Sequence, residues 1–294
     1  MNDSSIRVWI LAARPKTLWA SIAPVIMGTA MAIADGRFHL PATLAAFFGA
    51  ILIQIGTNFA NDYFDFLKGA DTQERLGPTR ATQAGLVRPE AMKKAFIVAF
   101  GLAFLLGIYL VWRGGWPIVI IGLVSIFLGI IYTATPFALG YTGLADLFVL
   151  LFFGPVAVAG TYYVQALTVT REAIIAGLAP GLISVALLTV NNLRDIEQDR
   201  KAGKKTMAVR FGKTFAQMEY VLTLLSALFI ATYLYRAAEK SIALLLVWSL
   251  LLLAYPAIKT VFRFEDARML NGVLASTGQL LLFYSLIFAI GWLL

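Results

Sequence analysis

The stretch NFANDYFDFLKGADTQERLGPTR, residues 58–80, follows directly on an apolar run from Leu44 to Ile55. It therefore lies where a membrane helix would reach the lipid headgroups. In a helix Asn61 and Asp65 are one turn apart on one face, and Asp62 is a neighbour of Asp65. The sequence thus places a group of amides and carboxylates at the end of an apolar helix.

A second stretch, residues 191–205, repeats this arrangement. Asn191, Asp195 and Asp199 come at four-residue steps and form a single polar stripe on a helix. Two carboxylate stripes at the ends of apolar helices indicate one divalent-metal site built from both halves of a protein.

The composition is that of an integral membrane protein. The 294 residues are 60% hydrophobic and 14% charged, and the mean hydropathy is +0.81. The net charge of +8 is better explained by cytoplasmic-loop lysines and arginines than by a nucleic-acid partner. There is no cysteine, and His39 is the only histidine, so thiolate, zinc-hydrolase and histidine-base chemistry have little support.

Nine apolar runs approach the roughly 20 residues that a spanning helix needs. They predict an all-α bundle of nine transmembrane helices in one domain, residues 1–294, with a central cavity that opens at the cytoplasmic side. A signal peptide is an alternative explanation for the first run, because Ala30-Met31-Ala32 resembles a cleavage site. The predicted spans are 17–34, 42–64, 93–112, 116–133, 144–165, 172–191, 215–235, 241–261 and 272–293.

The distribution of positive charge predicts the orientation. With these spans, 19 of the 24 lysines and arginines lie on the side of the N-terminus, and that side should be cytoplasmic. Both Asn/Asp stretches fall on it. The N-x-x-x-D pattern at Asn61–Asp65 recurs at Asn191–Asp195, which suggests an internal repeat around a central site.

Ionisable groups at membrane depth are costly and usually functional, although single acids can simply neutralise basic neighbours at a solvated helix end. Clustered carboxylates repel one another unless a cation lies among them. Mg²⁺ fits because it takes oxygen ligands and typically binds a few carboxylates together with substrate phosphates. Nearby arginines and lysines complete the chemistry of a diphosphate clamp.

A diphosphate at the surface of an apolar bundle implies a lipid tail between the helices. Aromatic candidates for lining that cavity and stabilising an allylic cation are Phe59, Tyr63, Phe64, Tyr132, Phe137, Tyr141, Tyr162 and Tyr163.

At these residues the sequence resembles the UbiA superfamily of intramembrane aromatic prenyltransferases. The motifs that carry the resemblance are NDYFDFLKGADTQERLGPTR (61–80), GTYYVQ (160–165) and NNLRDIEQDRKAGKKTMAVRFG (191–212). The spacing is similar to that of the naphthoate-prenylating branch. The common superfamily pattern has a further aspartate where this chain has Gly69, and the next acid is Asp71.

The resemblance implies Mg²⁺-dependent transfer of a polyprenyl group from polyprenyl diphosphate to 1,4-dihydroxy-2-naphthoate in the cytoplasmic (inner) membrane. Carbon dioxide would be lost and demethylmenaquinone formed. The expected catalytic residues are Asp62, Asp65, Asp71, Asp195 and Asp199. The expected metal ligands are Asn61, Asp65, Asp71, Asn191, Asp195 and Asp199. The expected substrate-binding residues are Asn58, Asn61, Lys68, Arg80, Tyr132, Asp146, Tyr162, Asn191, Asn192, Arg194 and Lys205.

Several points stay open at this level. The ring proton could pass to Asp62, to Asp71, to a tyrosine or to the released diphosphate. Another acceptor, such as 4-hydroxybenzoate or a chlorin, would keep the same metal site. A secondary transporter is the alternative from another class, and it would place its acids near the bilayer midplane. The length of the prenyl chain and the oligomeric state of the protein are not predicted.

Overall fold

The computed structural model describes residues 3–69, 76–134 and 138–294, with side chains from residue 6 onward. Within these residues every regular element is a helix, which confirms the predicted all-α class. The α-helices are α1 Asp3–Ala13, α2 Pro15–Ala34, α3 Leu40–Leu67, α4 Pro89–Gly114, α5 Trp116–Ala134, α6 Ala145–Phe152, α7 Pro155–Ala166, α8 Arg171–Arg194, α9 Ile196–Lys201, α10 Met207–Ala237, α11 Leu250–Arg263 and α12 Leu270–Leu293. Short 3₁₀ helices cover Leu139–Tyr141, Ile242–Ser249 and Ala267–Met269.

In the described part of the chain, nine helical stretches are long and apolar enough to cross a membrane, as the sequence predicts. The chain is an integral membrane protein. The second span extends beyond its predicted end at residue 64, because α3 continues to Leu67 and carries the first polar stripe as regular helix. The fifth span combines α6 and α7, and the eighth begins with the 3₁₀ helix Ile242–Ser249.

The break within the fifth span lies at Gly154 and depends on close packing against α8. A Cβ atom on Gly154 would lie 2.7 Å from the Gly177 carbonyl oxygen, and one on Gly177 would lie 2.5 Å from Pro155 Cα. Gly181, one turn along α8, is equally crowded, since its Cβ would lie 2.3 Å from the Leu150 carbonyl oxygen. Small residues one turn apart let helices approach this closely in membranes. This close contact between the break at Gly154 and α8 fixes the position of the chain just before Gly154.

Helix α2 packs against α3, α7, α8 and α12. Helix α8 is the most enclosed span and packs on α7, α10 and α12. The end of α3 and the end of α8 lie at the same end of the bundle as the start of α2, because Asn58 of α3 bonds to Ala13 just before α2. This arrangement brings the two polar stripes together. The single-domain assignment and the internal repeat stay predictions.

Candidate active site

A cavity of about 360 Å³ opens between the ends of α3 and α8. Helix α3 contributes Asn58, Asn61 and Asp65 to its wall. Helix α8 and the short α9 provide the second stripe, which consists of Asn191, Asn192, Arg194, Asp195, Gln198 and Asp199. Both polar stretches of the sequence therefore face one space.

Three aspartates on this cavity each form an ion pair with a cation. Arg80 Nη2 lies 2.7 Å from Asp65 Oδ2, and both side chains are buried. Lys204 Nζ lies 2.8 Å from Asp199 Oδ1. Burial raises the pKa of Asp199 above its ordinary range. The third pair joins Arg194 and Asp195, which are neighbours at the end of α8. The three pairs at the polar end of the cavity are together called the carboxylate ring.

Arg194 forms that third pair and is held from two further directions. Its Nε and Nη2 atoms donate to the two carboxylate oxygens of Asp195 at 2.8 and 2.6 Å. Its Nη1 donates to Asn271 Oδ1 at 2.9 Å, while the Asn271 amide donates to the Leu76 carbonyl oxygen. Gly77 permits this approach, because a Cβ atom there would lie 2.8 Å from Arg194 Nη2. The chain after residue 76 is thereby fastened to α8 and α12.

Asp62, which the sequence predicts to be catalytic, does not lie where a catalytic residue is expected. It is 1% exposed, and its carboxylate accepts the backbone N–H groups of Ala81 and Thr82 at 2.9 and 3.1 Å. It does not line the cavity. Because Arg80 directly precedes these two residues, Asp62 holds the loop that presents the Arg80 guanidinium to Asp65. The structure thus shows a loop contact for Asp62, and the catalytic role expected for it stays a prediction.

Asn61 and Lys68 meet the end of α5. Thr133 donates its hydroxyl to Asn61 Oδ1 at 2.5 Å, and Lys68 donates to the Thr133 carbonyl oxygen. The ammonium of Lys68 also lies 4.8 Å from the centre of the Tyr141 ring, and Lys204 approaches the same ring at 5.0 Å. Asn61 lines the cavity, whereas Lys68 lies behind its wall.

The basic loop contributes Lys204 where the sequence predicts Lys205. The backbone N–H of Lys205 donates to the Tyr141 carbonyl oxygen at 2.8 Å, and its side chain is exposed. The Lys204 side chain points to the cavity instead. The lysine at the cavity is thus one position before the lysine that the sequence predicts, because this backbone bond fixes the loop.

Five of the expected aromatic residues fall into two groups. Tyr132 and Tyr141 line the cavity. Phe59, Tyr63 and Phe64 pack instead in a cluster with Trp9 and Phe96. Further wall residues that the sequence did not single out are Phe148, Phe152 and Phe153, which precede the break at Gly154.

Tyr162 and Asp146 are not on the cavity wall. The Tyr162 hydroxyl donates to Asp35 at 2.6 Å, just past the end of α2, and so at the opposite end of the bundle. Tyr163 donates to the Gly114 carbonyl oxygen, and Asp146 lies in the first turn of α6. Both carboxylate oxygens of Asp146 are buried and find no hydrogen-bond donor among the described residues. Asp71 and Phe137 lie outside the described residues.

The donor set of the cavity fits a hard divalent cation. The available ligands are amide and carboxylate oxygens, which Mg²⁺ prefers. Gln198, which sequence reasoning missed, adds an amide oxygen that is buried at the cavity and has no hydrogen-bond donor within the described residues. Its position three residues after Asp195 was the available signal. The described residues contain no group of three or more acidic, histidine or cysteine side chains close enough to hold a metal by themselves.

A second cavity, of about 520 Å³, adjoins the first and is almost entirely apolar. It lies between α3, α4, α5 and α7 and shares Gln54, Ser125 and Phe153 with the first cavity. Gly49 is buried on its wall, yet a Cβ atom there would meet nothing within 4 Å. The polar site therefore continues into a space suited to a hydrocarbon chain.

Comparison with known proteins agrees with this geometry. The family model for the UbiA prenyltransferase family matches residues 21–271. The 1,4-dihydroxy-2-naphthoate octaprenyltransferase of Escherichia coli K12 is 39% identical, over 76% of this chain and 75% of that protein. The Haemophilus influenzae protein of the same name is 34% identical, over 100% and 98%.

A solved structure shares the fold. The UbiA homolog from Archaeoglobus fulgidus bound to GPP and Mg²⁺ superposes with a TM-score of 0.65 at 15% identity, covering 96% of this chain and 99% of that one. The family match and the two relatives extend over most of the sequence. The chain belongs to the UbiA prenyltransferase family and is a membrane prenyltransferase.

Proposed function

We propose that this protein transfers a polyprenyl group from polyprenyl diphosphate to 1,4-dihydroxy-2-naphthoate. Carbon dioxide is lost, and demethylmenaquinone is formed in its quinol state. The observation that carries the proposal is the adjacency of two cavities, one ringed by paired carboxylates and cations and the other apolar. The names of the two relatives support the choice of acceptor.

The polar cavity binds the diphosphate together with Mg²⁺. The metal donors are Asn61, Asp65, Asp71, Asn191, Asp195 and Asp199, with Gln198 added from the structure. When bound, Mg²⁺ neutralises the charge that builds up on the departing diphosphate. Arg80, Arg194 and Lys204 exchange their carboxylate partners for diphosphate oxygens.

The apolar cavity binds the prenyl chain and keeps water from the reacting carbon. The bond between the prenyl carbon and the diphosphate oxygen breaks, and the resulting allylic cation is attacked by the electron-rich ring. Tyr132 and Tyr141 line the polar cavity next to this region, and aromatic rings near the reacting carbon favour a cationic intermediate. Asp62 is not the proton acceptor in this proposal, because two backbone N–H groups occupy its carboxylate.

The test is a product assay on detergent-purified protein with a prenyl diphosphate, dihydroxynaphthoate and Mg²⁺. We expect prenylated product that disappears with excess EDTA and returns when Mg²⁺ is restored. Asp65→Asn and Asp195→Asn should remove activity while the protein elutes as a folded species. Prenylation of 4-hydroxybenzoate alone would retain the mechanism and change the acceptor, and no transfer to any aromatic acceptor would refute the proposal.

We further propose that the polar cavity faces the cytoplasm, as the distribution of basic residues predicts. The absence of cysteine makes the test direct. Lys205→Cys and Arg37→Cys each place a thiol at an exposed position, at opposite ends of the bundle. In intact cells a membrane-impermeant maleimide should label position 37 and spare position 205. The reverse pattern would overturn the orientation.

A further inference from the structure

Arg14, between α1 and α2, has an unusual backbone conformation. Its φ and ψ angles are 52° and 69°, in the left-handed region that a residue other than glycine rarely adopts. The following residue is Pro15, which restricts the preceding backbone further. Such a conformation persists only where the surroundings impose it, and these sites are often functional.

Helix α3 imposes it through Asn58. The Asn58 side-chain amide donates to the Ala13 carbonyl oxygen at 2.9 Å and to the Thr17 hydroxyl oxygen at 3.2 Å. Thr17 in turn donates both its hydroxyl and its backbone N–H to the Arg14 carbonyl oxygen, each at 2.9 Å. The residues on both sides of Arg14 are thus fixed to a helix that carries the first polar stripe.

The Arg14 side chain lines the same cavity as the two stripes. Tyr132 of α5 lines this cavity as well. The Asn58 anchor is seven residues before Asp65 on α3, which corresponds to about 10 Å along the helix axis. Arg14 is therefore attached on the apolar side of the carboxylate ring, at the depth where the reacting prenyl carbon must lie once the diphosphate is in that ring.

We propose that Arg14 binds the carboxylate of the aromatic acceptor and so sets the position of the ring against the prenyl carbon. The inference rests on the proposed function. A guanidinium forms two parallel hydrogen bonds with a carboxylate, which fixes the plane of the bound acid as well as its location. In this proposal Arg80, Arg194 and Lys204 serve the diphosphate, whereas Arg14 belongs to a different element and is attached at a different depth. Asn58 is then the positioning residue of Arg14.

The experiment compares acceptors with and without the carboxylate. Arg14→Asn removes the cation while keeping a residue that tolerates the left-handed region, and Arg14→Lys keeps the charge without the planar fork. Lys16→Gln is the matched control, because Lys16 is exposed and does not line the cavity. Each variant is assayed with dihydroxynaphthoate and with 1,4-dihydroxynaphthalene at saturating prenyl diphosphate and Mg²⁺.

For Arg14→Asn we expect the KM for dihydroxynaphthoate to rise about tenfold to hundredfold, the size of effect for a lost hydrogen bond to a charged group. The KM for prenyl diphosphate and the turnover of dihydroxynaphthalene should stay at the wild-type level. Arg14→Lys should be intermediate, and Lys16→Gln should match the wild type. A second measurement, which needs no turnover of the analogue, is inhibition by 1-hydroxy-2-naphthoate and by 1-naphthol. In Arg14→Asn the inhibition by 1-hydroxy-2-naphthoate should weaken, and the inhibition by 1-naphthol should not.

Equal losses with both acceptors, or a raised KM for prenyl diphosphate, would overturn the inference and assign Arg14 to the diphosphate site. If Arg14→Asn does not fold, the same comparison on Arg14→Lys decides the question. Failure of the wild-type protein to prenylate dihydroxynaphthoate would instead refute the proposed function, independently of any Arg14 variant.

Discussion

Replacing Asp62 by alanine separates a role in positioning from a role in chemistry. The carboxylate is 1% exposed and accepts two backbone N–H groups, from Ala81 at 2.9 Å and from Thr82 at 3.1 Å. A hydrogen bond to a charged group stabilises by about 1.5–3 kcal/mol. Asp62→Ala removes both bonds and leaves two buried N–H groups without an acceptor, so we expect a loss of about 3–6 kcal/mol. Arg80 adjoins this loop, so its guanidinium should also lose its fixed position.

The measurement is the apparent melting temperature of the purified protein in one detergent, followed beside prenyl transfer. A loss of this size should lower the melting temperature by on the order of 10 °C. Asp62→Asn keeps one acceptor oxygen and should show about half of the loss. Asn191→Ala is the control, because its side chain lines the cavity, is uncharged and is in none of the three ion pairs. It should lower activity strongly and change the melting temperature by no more than about 2 °C.

The result that would refute this reasoning is specific. If Asp62→Ala melts at the wild-type temperature but transfers no prenyl group, the carboxylate takes part in the chemistry and the loop contact is incidental. A lower melting temperature with substantial remaining activity at low temperature would agree with the structural role.

Three further predictions follow from the site. Lys204→Gln should lower kcat/KM for prenyl diphosphate by more than about tenfold, whereas Lys205→Gln should leave it within about twofold of the wild-type value. Equal losses in the two variants would mean that Lys205 also acts in the site. Gly77→Ala should displace the Arg194 guanidinium, which three hydrogen bonds hold, and lower kcat about tenfold to hundredfold; unchanged kcat would mean that the loop adjusts without cost. Gly49→Leu fills the apolar cavity about 24 Å of helix rise from Asp65, so a long prenyl diphosphate should lose turnover relative to geranyl diphosphate. An unchanged ratio of the two turnovers would mean that the prenyl chain lies elsewhere.

The nine spans were predictable because each needs only a sufficient length of apolar residues, a property that is local in the sequence. The meeting of the two stripes was also predictable. Asn61 and Asn191 each end an even-numbered span, and the ends of even-numbered spans lie on one side of a membrane. The same rule accounts for the position of Tyr162, which ends an odd-numbered span: its bond to Asp35 lies at the other end of the bundle. The substrate contact expected for Tyr162 stays a prediction.

Other features depend on contacts that the sequence does not encode locally. The carboxylate of Asp62 carries the residue type and spacing of a metal ligand, and only the return of the loop at Ala81 shows that it is already occupied. The choice between Lys204 and Lys205 depends on one backbone bond to Tyr141. The role proposed for Arg14 was hidden in the sequence because the side chain that fixes its junction, Asn58, lies on another helix.

The ring of ion pairs around the polar cavity has a thermodynamic consequence. A divalent cation arriving alone would have to take carboxylates from their guanidinium and ammonium partners, leaving buried positive charge uncompensated. Diphosphate arriving alone would take the cations and leave the carboxylates facing one another. When both arrive together, every charge exchanges one partner for another and none is left isolated. The site should therefore show strong positive heterotropic coupling between metal and diphosphate, and it should reject bare divalent ions and metal-free diphosphate esters at concentrations where the complex of the two binds.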